Sequence, residues 1–312
     1  RFQADSQMMM TCFDIGGSNI KAATATGPET LHNLGRAVTP LLDFDAFVGV
    51  IADFVAAGRA ADGAPVAISI TGVVDPQTGI ATVANIPCID GRNLAGDLSA
   101  RLGRPVFVAN DADCFALAEA HAGAGKGHGV VFGAILGTGV GGGIVVDGRV
   151  LRGAGGIAGE WGHGTIVATD VSVKPFHLPH FPCGCGQKGC ADTIGGARGM
   201  ERLHTHLHGV DLPSLAIVEA WMGGEATAAE TIDLYVELLA QPLALVVNVV
   251  GPDIVPVGGG LGNSAALVER LDVAVRQRIL RKLGRSLVVP AQFSVDAGLL
   301  GAANLGFSEM TA

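Results

Sequence analysis

The chain has 312 residues, with 20 Lys plus Arg against 29 Asp plus Glu and a formal net charge of −9. At 49% hydrophobic and 16% charged it is too apolar to be a disordered chain, and it is long enough for one or two domains with a sizeable core. The acidic balance and an aromatic content of 5% argue against a nucleic-acid partner, which would call for a basic face or stacking rings.

No membrane span is expected. The uncharged run Val130 to Val146 is short and broken by glycines. Arg1 to Gln7 is polar with no apolar stretch behind it, so no secretory signal is expected, and Met8 to Met10 mark the natural start region. Of six cysteines, Cys12, Cys88 and Cys114 lie in apolar surroundings and read as small core residues. Cys183, Cys185 and Cys190 fall within eight residues, which in a chain of this size reads as a metal site and a reducing, cytoplasmic compartment.

In chain order, Met10 to Phe13 reads as a strand, Asp14-Ile-Gly-Gly-Ser-Asn19 as a glycine turn and Ile20 to Ala25 as a second strand. Asp43 to Ala57 carries Phe44, Phe47, Val48, Ile51, Phe54 and Val55 at helical spacing. Pro65 to Ile70 and Val106 to Ala109 read as buried strands, and a helical run from Asn110-Asp111 reaches Ala120. The pattern then restarts, with strand Val130 to Leu136, glycine turn Gly137 to Gly143 and strand Ile144 to Val146. Asp147-Gly148 marks a hairpin. Helices follow at Gly199 to His208, Ser214 to Met222, Ala226 to Val250 with a kink at Pro242, and Ser264 to Leu283. Strands at Ile254 to Val257 and Ser286 to Val289 precede a last helix from about Asp296. Strand, glycine turn, strand occurs twice, which predicts two related halves, each with its own sheet.

Gly137-Thr-Gly139-Val-Gly141-Gly142 fits the dinucleotide fingerprint G-x-G-x-x-G. That fingerprint needs a helix directly afterwards, and strand residues follow here, so a nicotinamide-dependent oxidoreductase is disfavoured. Hairpin tips that offer backbone N–H groups to phosphate oxygens fit both this loop and the one at Asp14. Asn110-Asp111 follows a buried strand and opens a helix. It reads as an N-cap and equally as a carboxylate placed to accept the proton of a hydroxyl. Three thiols at C-x-C-x4-C spacing can share one ion, with His163, His177 or His180 closing a tetrahedral Cys3His site of the kind zinc occupies. His204, His206 and His208 read as a solvated helix end.

Together these segments resemble the ROK family of repressors and sugar kinases over about Met10 to Leu305. Asp14-Ile-Gly-Gly-Ser-Asn-Ile-Lys21 is similar to its first phosphate motif, with Ser18 for the more usual Thr and Asn19 for Lys. Leu136 to Gly143 is similar to the second phosphate motif and Val257-Gly-Gly-Gly260 to the adenosine-side motif. Cys183 to Cys190 matches the family's C-x-C-G-x-x-G-C run.

The resemblance implies an α/β, actin-like ATPase (ribonuclease H-like) fold of two domains with a cleft between them. The small domain would span 8–112, with the C-terminal helix 297–312 packing back on it. The large domain would span 113–296 and carry a zinc-binding insert at 160–192. It further implies an ATP-dependent hexose kinase using Mg²⁺ and a structural Zn²⁺, with Asp111 as the base acting on the sugar 6-hydroxyl. The sugar would be held by Gly72, Asn85, Asn110, Glu160, His163 and Asp192, the last standing where the family more often has Glu. Nucleotide and metal would be held by Asp14, Gly16, Gly17, Ser18, Asn19, Lys21, Gly137, Thr138, Gly139, Gly258, Gly259 and Gly260, and zinc by His163, Cys183, Cys185 and Cys190. Ala84 to Pro87, Asp97 to Leu102 and Asn110 to Leu117 look closest to the bacterial N-acetylglucosamine kinases of the family. N-acetylmannosamine, glucose and fructose are the alternative substrates, a homodimer is the implied assembly, and a sugar-sensing regulator without its own DNA-binding domain is the non-enzyme alternative.

Overall fold

A computed structural model describes residues 9–171, 176–293 and 296–310. Residues 1–8, which include Met8 of the expected start region, lie outside the described residues.

The first stretch runs through β1 (Met10–Ile15), β2 (Asn19–Gly27), β3 (Thr30–Val38), α1 (Phe44–Ala57), β4 (Val66–Ile70), a short hairpin β5 (Val73–Val74) and β6 (Ala81–Thr82), α2 (Leu94–Leu102), β7 (Val106–Asn110) and α3 (Asp111–Ala122). The second runs through β8 (Val130–Leu136), β9 (Val140–Val146), β10 (Arg149–Val150), the short pair β11 (Asp170–Val171) and β12 (Phe176–His177), α4 (Asp192–Gly195), α5 (Ala197–His208), α6 (Ser214–Met222), α7 (Ala226–Val250), β13 (Val255–Gly258), α8 (Ala265–Arg278), β14 (Val288–Pro290) and α9 (Ala297–Met310).

Two five-stranded sheets share one plan. The first is ordered β3-β2-β1-β4-β7 and the second β10-β9-β8-β13-β14. In the first, β1–β2 and β2–β3 are antiparallel, whereas β1–β4 and β4–β7 are parallel. In the second, β9–β10 is antiparallel and β8–β13 and β13–β14 are parallel. The repeated strand–turn–strand signal of the sequence thus marks the first hairpin of each sheet.

By contacts the chain divides into two compact units. One holds residues 1–127, 143–158 and 295–312, the other 128–142 and 159–294. The first unit therefore contains α3 and α9.

In the first unit the two faces of β1 feed two cores. Phe13 and Ile15 pack with Phe47, Ile51, Ile68, Leu94 and Leu98 beneath α1 and α2. Met10 and Cys12 pack with Ala67, Leu299, Ala302 and Ala303 beneath α9. The strand's period of two separates the sets, and the small residues of the second let α9 lie close to the sheet. Helix α1 begins where Asp43 Oδ1 accepts the Ala46 N–H at 3.0 Å, and it buries Phe47, Val48, Ile51 and Val55 at i, i+1, i+4 and i+8.

In the second unit α7 continues as one 25-residue helix through Pro242. Among the described residues it is the one helix long and apolar enough to cross a bilayer, and 67% of an apolar 18-residue segment of it is buried inside the protein. Asp147 and Gly148 both have positive φ, as the hairpin before β10 requires. His204 departs from the sequence reading. It is a buried residue, not part of a solvated helix end, with Nδ1 2.8 Å from the Thr231 hydroxyl of α7.

Candidate active site

In the first unit the carboxyl ends of β1, β4 and β7 lie side by side, because the parallel register pairs Ile15 with Ile70 and Ile70 with Asn110. Such strand ends are where open α/β sheets hold ligands. Asp14, near the end of β1, receives a hydrogen bond from Ser69 Oγ at 3.3 Å and lies 3.7 Å from Lys21 Nζ, its cross-strand partner on β2. Burial raises the Asp14 pKa, and the Lys21 ammonium works against that rise. Lys21 also donates to Asp296, just before α9, at 3.4 Å.

The following turn is closed by the Gly16 N–H to Asn19 O at 3.0 Å and tied to the next segment by the Thr39 hydroxyl, which donates to Gly16 O at 2.7 Å. A Cβ on Gly17 would stand 3.1 Å from Asn85 Nδ2, so turn and Asn85 are in close apposition. Asn85 Oδ1 in turn accepts from the Thr71 hydroxyl at 2.9 Å. At the end of β7, Asn110 caps α3: its Oδ1 accepts from the Ala112 and Asp113 N–H groups at 2.6 and 3.3 Å, and its Nδ2 donates to Gly72 O at 2.8 Å. Asp111 is thereby held as the first residue of α3, at the positive end of the helix. Gly72 has φ +106° and no room for a Cβ against Thr82 O, so only glycine serves there.

In the second unit the Gly137-Thr138-Gly139 turn joins β8 to β9. Gly137 N–H donates to Gly139 O at 3.0 Å, and residues at the head of α5 grip the loop carbonyls. Ala197 N–H donates to Gly137 O at 2.8 Å and Arg198 N–H to Thr138 O at 3.4 Å. Gly259, at the end of β13, packs on Leu136 and Gly137 so closely that a Cβ there would overlap the Leu136 backbone. A Cβ on Gly260 would meet nothing within 4 Å, and one on Gly137 only Ile135 at 3.7 Å. Protein packing therefore does not require glycine at these two positions.

Trp161 pins the Glu160–His163 turn to β9 through its Nε1–H to Gly141 O at 2.8 Å and an edge-on contact with Phe132. One His163 nitrogen, Nδ1, is 3.7 Å from Cys183 Sγ, and the other, Nε2, is 3.6 Å from Glu160 Oε2. The ligand atoms of His163, Cys183, Cys185 and Cys190 all lie within 4.8 Å of one another. Cys185 and Cys190 Sγ are 3.7 Å apart, against the ~3.8 Å edge of a tetrahedron built on ~2.3 Å Zn–S bonds. The donor set and spacing fit one zinc ion. Without an ion the thiols are uneven: the Gln187 N–H draws Cys185 down to about 7, while burial pushes Cys183 up to about 12. A bound divalent ion would hold all three as thiolates.

Of the other histidines considered for that cluster, His180 is engaged elsewhere, its Nε2 2.9 Å from Val167 O. The side chain of His177 lies outside the described residues. Asp192 sits beside the glycine turn, accepting the Val140 N–H on Oδ1 at 2.7 Å. Sequence reasoning passed over Ser69, Thr71, Thr39 and Asp296. Strand pairing brings Ser69 to Asp14 and Thr39 to Gly16, the return of α9 brings Asp296 to Lys21, and Thr71 meets Asn85 from 14 residues away, so no local motif signals them.

The fold and these two glycine turns are those of the actin-like ATPase class of sugar kinases. More closely, the chain belongs to the ROK family, whose model matches residues 10–308. A curated relative, the N-acetyl-D-glucosamine kinase of Histophilus somni (strain 129Pt), is 36% identical over 299 residues, covering 95% of this chain and 98% of the relative. The ROK hexokinase from Thermus thermophilus superposes with a TM-score of 0.81 at 29% identity, over 97% of this chain and 99% of that one. A ROK family glucokinase from Streptomyces griseus, in complex with glucose and AMPPNP, gives a TM-score of 0.73 at 27% identity, over 96% and 99%.

Proposed function

We propose that the protein transfers the γ-phosphoryl group of ATP to the 6-hydroxyl of N-acetyl-D-glucosamine. The observation that carries the chemistry is Asp111, fixed at the head of α3 and the carboxyl end of β7 by its neighbour Asn110. The near full-length similarity to an N-acetyl-D-glucosamine kinase supports the choice of sugar.

In this reading Asp111 accepts the proton of the 6-hydroxyl as that oxygen bonds to the γ-phosphorus. The bond from phosphorus to the β–γ bridging oxygen breaks, and ADP leaves. Gly72, Asn85, Asn110, Glu160, His163 and Asp192 are assigned to the sugar by resemblance. Gly16 to Asn19, Gly137 to Gly139 and Gly258 to Gly260 are assigned to the nucleotide by resemblance, as glycine turns of the kind that offer backbone N–H groups to phosphate. Asp14 would hold Mg²⁺ through water, with Lys21 beside it, and the ion would neutralise charge on the phosphates. Zinc on His163, Cys183, Cys185 and Cys190 would keep the Glu160–His163 turn in shape. The family further assigns a homodimer, which light scattering of the purified protein checks.

The test is ADP release coupled to NADH oxidation across N-acetylglucosamine, N-acetylmannosamine, glucose and fructose, with mass spectrometry of the products. The highest kcat/KM is expected on N-acetylglucosamine. A higher value on any of the other three reassigns the substrate, and ADP release with no sugar phosphate formed rejects the kinase.

A further inference from the structure

The glycine turn after β1 has a carbonyl on each side of Gly17, and one residue takes both. Thr39 follows the last residue of β3, and the antiparallel register that pairs Asn19 with Val38 sets it opposite Ser18. Its N–H donates to Ser18 O at 3.2 Å, and its hydroxyl donates to Gly16 O at 2.7 Å. Thr39 is 3% exposed, whereas Val38 before it is 77% exposed. The end of β3 therefore turns its polar residue inward and its apolar one outward, the reverse of what burial alone favours. A buried hydroxyl needs a partner, and Gly16 O is that partner.

A trans peptide points its C=O and the following N–H in opposite directions. With the Gly16 carbonyl turned to Thr39, the Gly17 N–H is directed away from it. Among the described residues neither the Gly17 nor the Ser18 N–H has a hydrogen-bond partner. Successive free N–H groups in a turn are what a bound anion requires. Left untied, a peptide between two glycines is free to rotate, because glycine accepts either sign of φ. Rotation would present the Gly16 carbonyl oxygen where the Gly17 N–H now stands, and that oxygen repels phosphate. The Thr39 hydroxyl holds the peptide in the orientation that keeps the donor available.

We propose that Thr39 is a positioning residue for the nucleotide phosphates: by gripping the Gly16 carbonyl it locks the Gly16–Gly17 peptide, so that the turn meets phosphate with N–H groups and not with a carbonyl. This rests on the kinase reading above, in which the turn holds the nucleotide.

The experiment uses the full-length protein and measures AMPPNP·Mg²⁺ and N-acetylglucosamine binding separately by calorimetry. Thr39→Val replaces the hydroxyl by a methyl group of similar size and leaves the backbone N–H to Ser18 in place. It is expected to weaken AMPPNP binding about tenfold or more, the effect of losing one hydrogen bond to a charged group. The KM for ATP should rise likewise, with N-acetylglucosamine affinity within twofold of wild type. Thr39→Ser keeps the hydroxyl and is expected to bind AMPPNP within threefold of wild type. Thr39→Ala removes the hydroxyl without setting a methyl group against the Gly16 carbonyl. It is expected to show the same AMPPNP loss as the valine variant, and it carries the test if that variant does not fold. Unchanged AMPPNP affinity in the folded Val or Ala variant, an equal loss of sugar and nucleotide affinity, or a Ser variant as damaged as Val overturns the proposal. So does a wild-type protein that binds no AMPPNP. The binding arms need no turnover, so a wild-type protein that binds AMPPNP but phosphorylates no sugar defeats the kinase reading alone.

Discussion

Glu160 faces the far side of the His163 ring: its Oε2 is 3.6 Å from Nε2, while Nδ1 faces Cys183 Sγ at 3.7 Å. A carboxylate on that side, on closing to hydrogen-bond distance, accepts the Nε2–H and fixes which ring nitrogen meets a metal ion. One zinc per chain is expected in protein purified without chelators. In Glu160→Ala, zinc affinity is expected to fall about 10–100-fold, the usual effect of losing such a partner. Competition against a chromogenic chelator reads this directly. Wild-type affinity in the variant would mean that Glu160 does not orient the ring.

Asp111 owes its position to Asn110, whose amide is used at both ends, capping α3 and holding the Gly72 carbonyl. Asp111→Asn keeps the size of the side chain and removes the proton acceptor. Turnover is expected to drop by about 10²–10⁴, the range for loss of a general base. Sugar affinity, measured by calorimetry without ATP, should stay close to wild type. Near wild-type turnover would remove Asp111 from the role of base.

Much of this site is written locally. The glycine turns, Asn110-Asp111 and the C-x-C-x4-C run are legible because their chemistry needs particular residues at short spacing. What could not be read depends on packing between distant elements. β3 escapes notice because it is an edge strand of mixed residues such as His32, Asn33 and Arg36, most of them exposed, with no apolar alternation to signal it. Asp296 meets Lys21 only because α9 returns to the first sheet, 275 positions along the chain. His204 and His208 do share a helix face, as their spacing requires, with ring centroids 4.8 Å apart. That the face is covered is decided by α7, which supplies Thr231.

The contact between α3 and α9 in the first unit depends on Gly301, where a Cβ would overlap the Cys114 carbonyl of α3. Backbone is in the way there, not the end of a flexible side chain, so the helices must separate to admit a methyl group. Gly301→Ala is expected to lose about 1–3 kcal/mol of stability, the typical effect of overpacking a dense interior, despite the better helix propensity of alanine. Urea unfolding followed by circular dichroism measures it. A variant as stable as wild type would show that the two helices are less closely pressed.

Burial, and then the charge of His208, lower the pKa of His204, with Glu225 acting in the opposite direction. The unfolded chain, in which histidine titrates near 6.5, therefore takes up this proton more readily than the folded protein. Between the depressed folded value and about 6.5 the unfolded state carries the extra proton, so stability rises with pH through that window and levels off above it. Going from pH 7.5 to pH 5.5 is expected to lower the urea midpoint. His204→Gln cannot take up the proton, so its midpoint should fall by less over the same interval. Both proteins are measured with zinc in excess, so that any loosening of the cysteine cluster by acid affects them equally. Identical pH slopes would show that His204 is not among the groups whose protonation destabilises the fold.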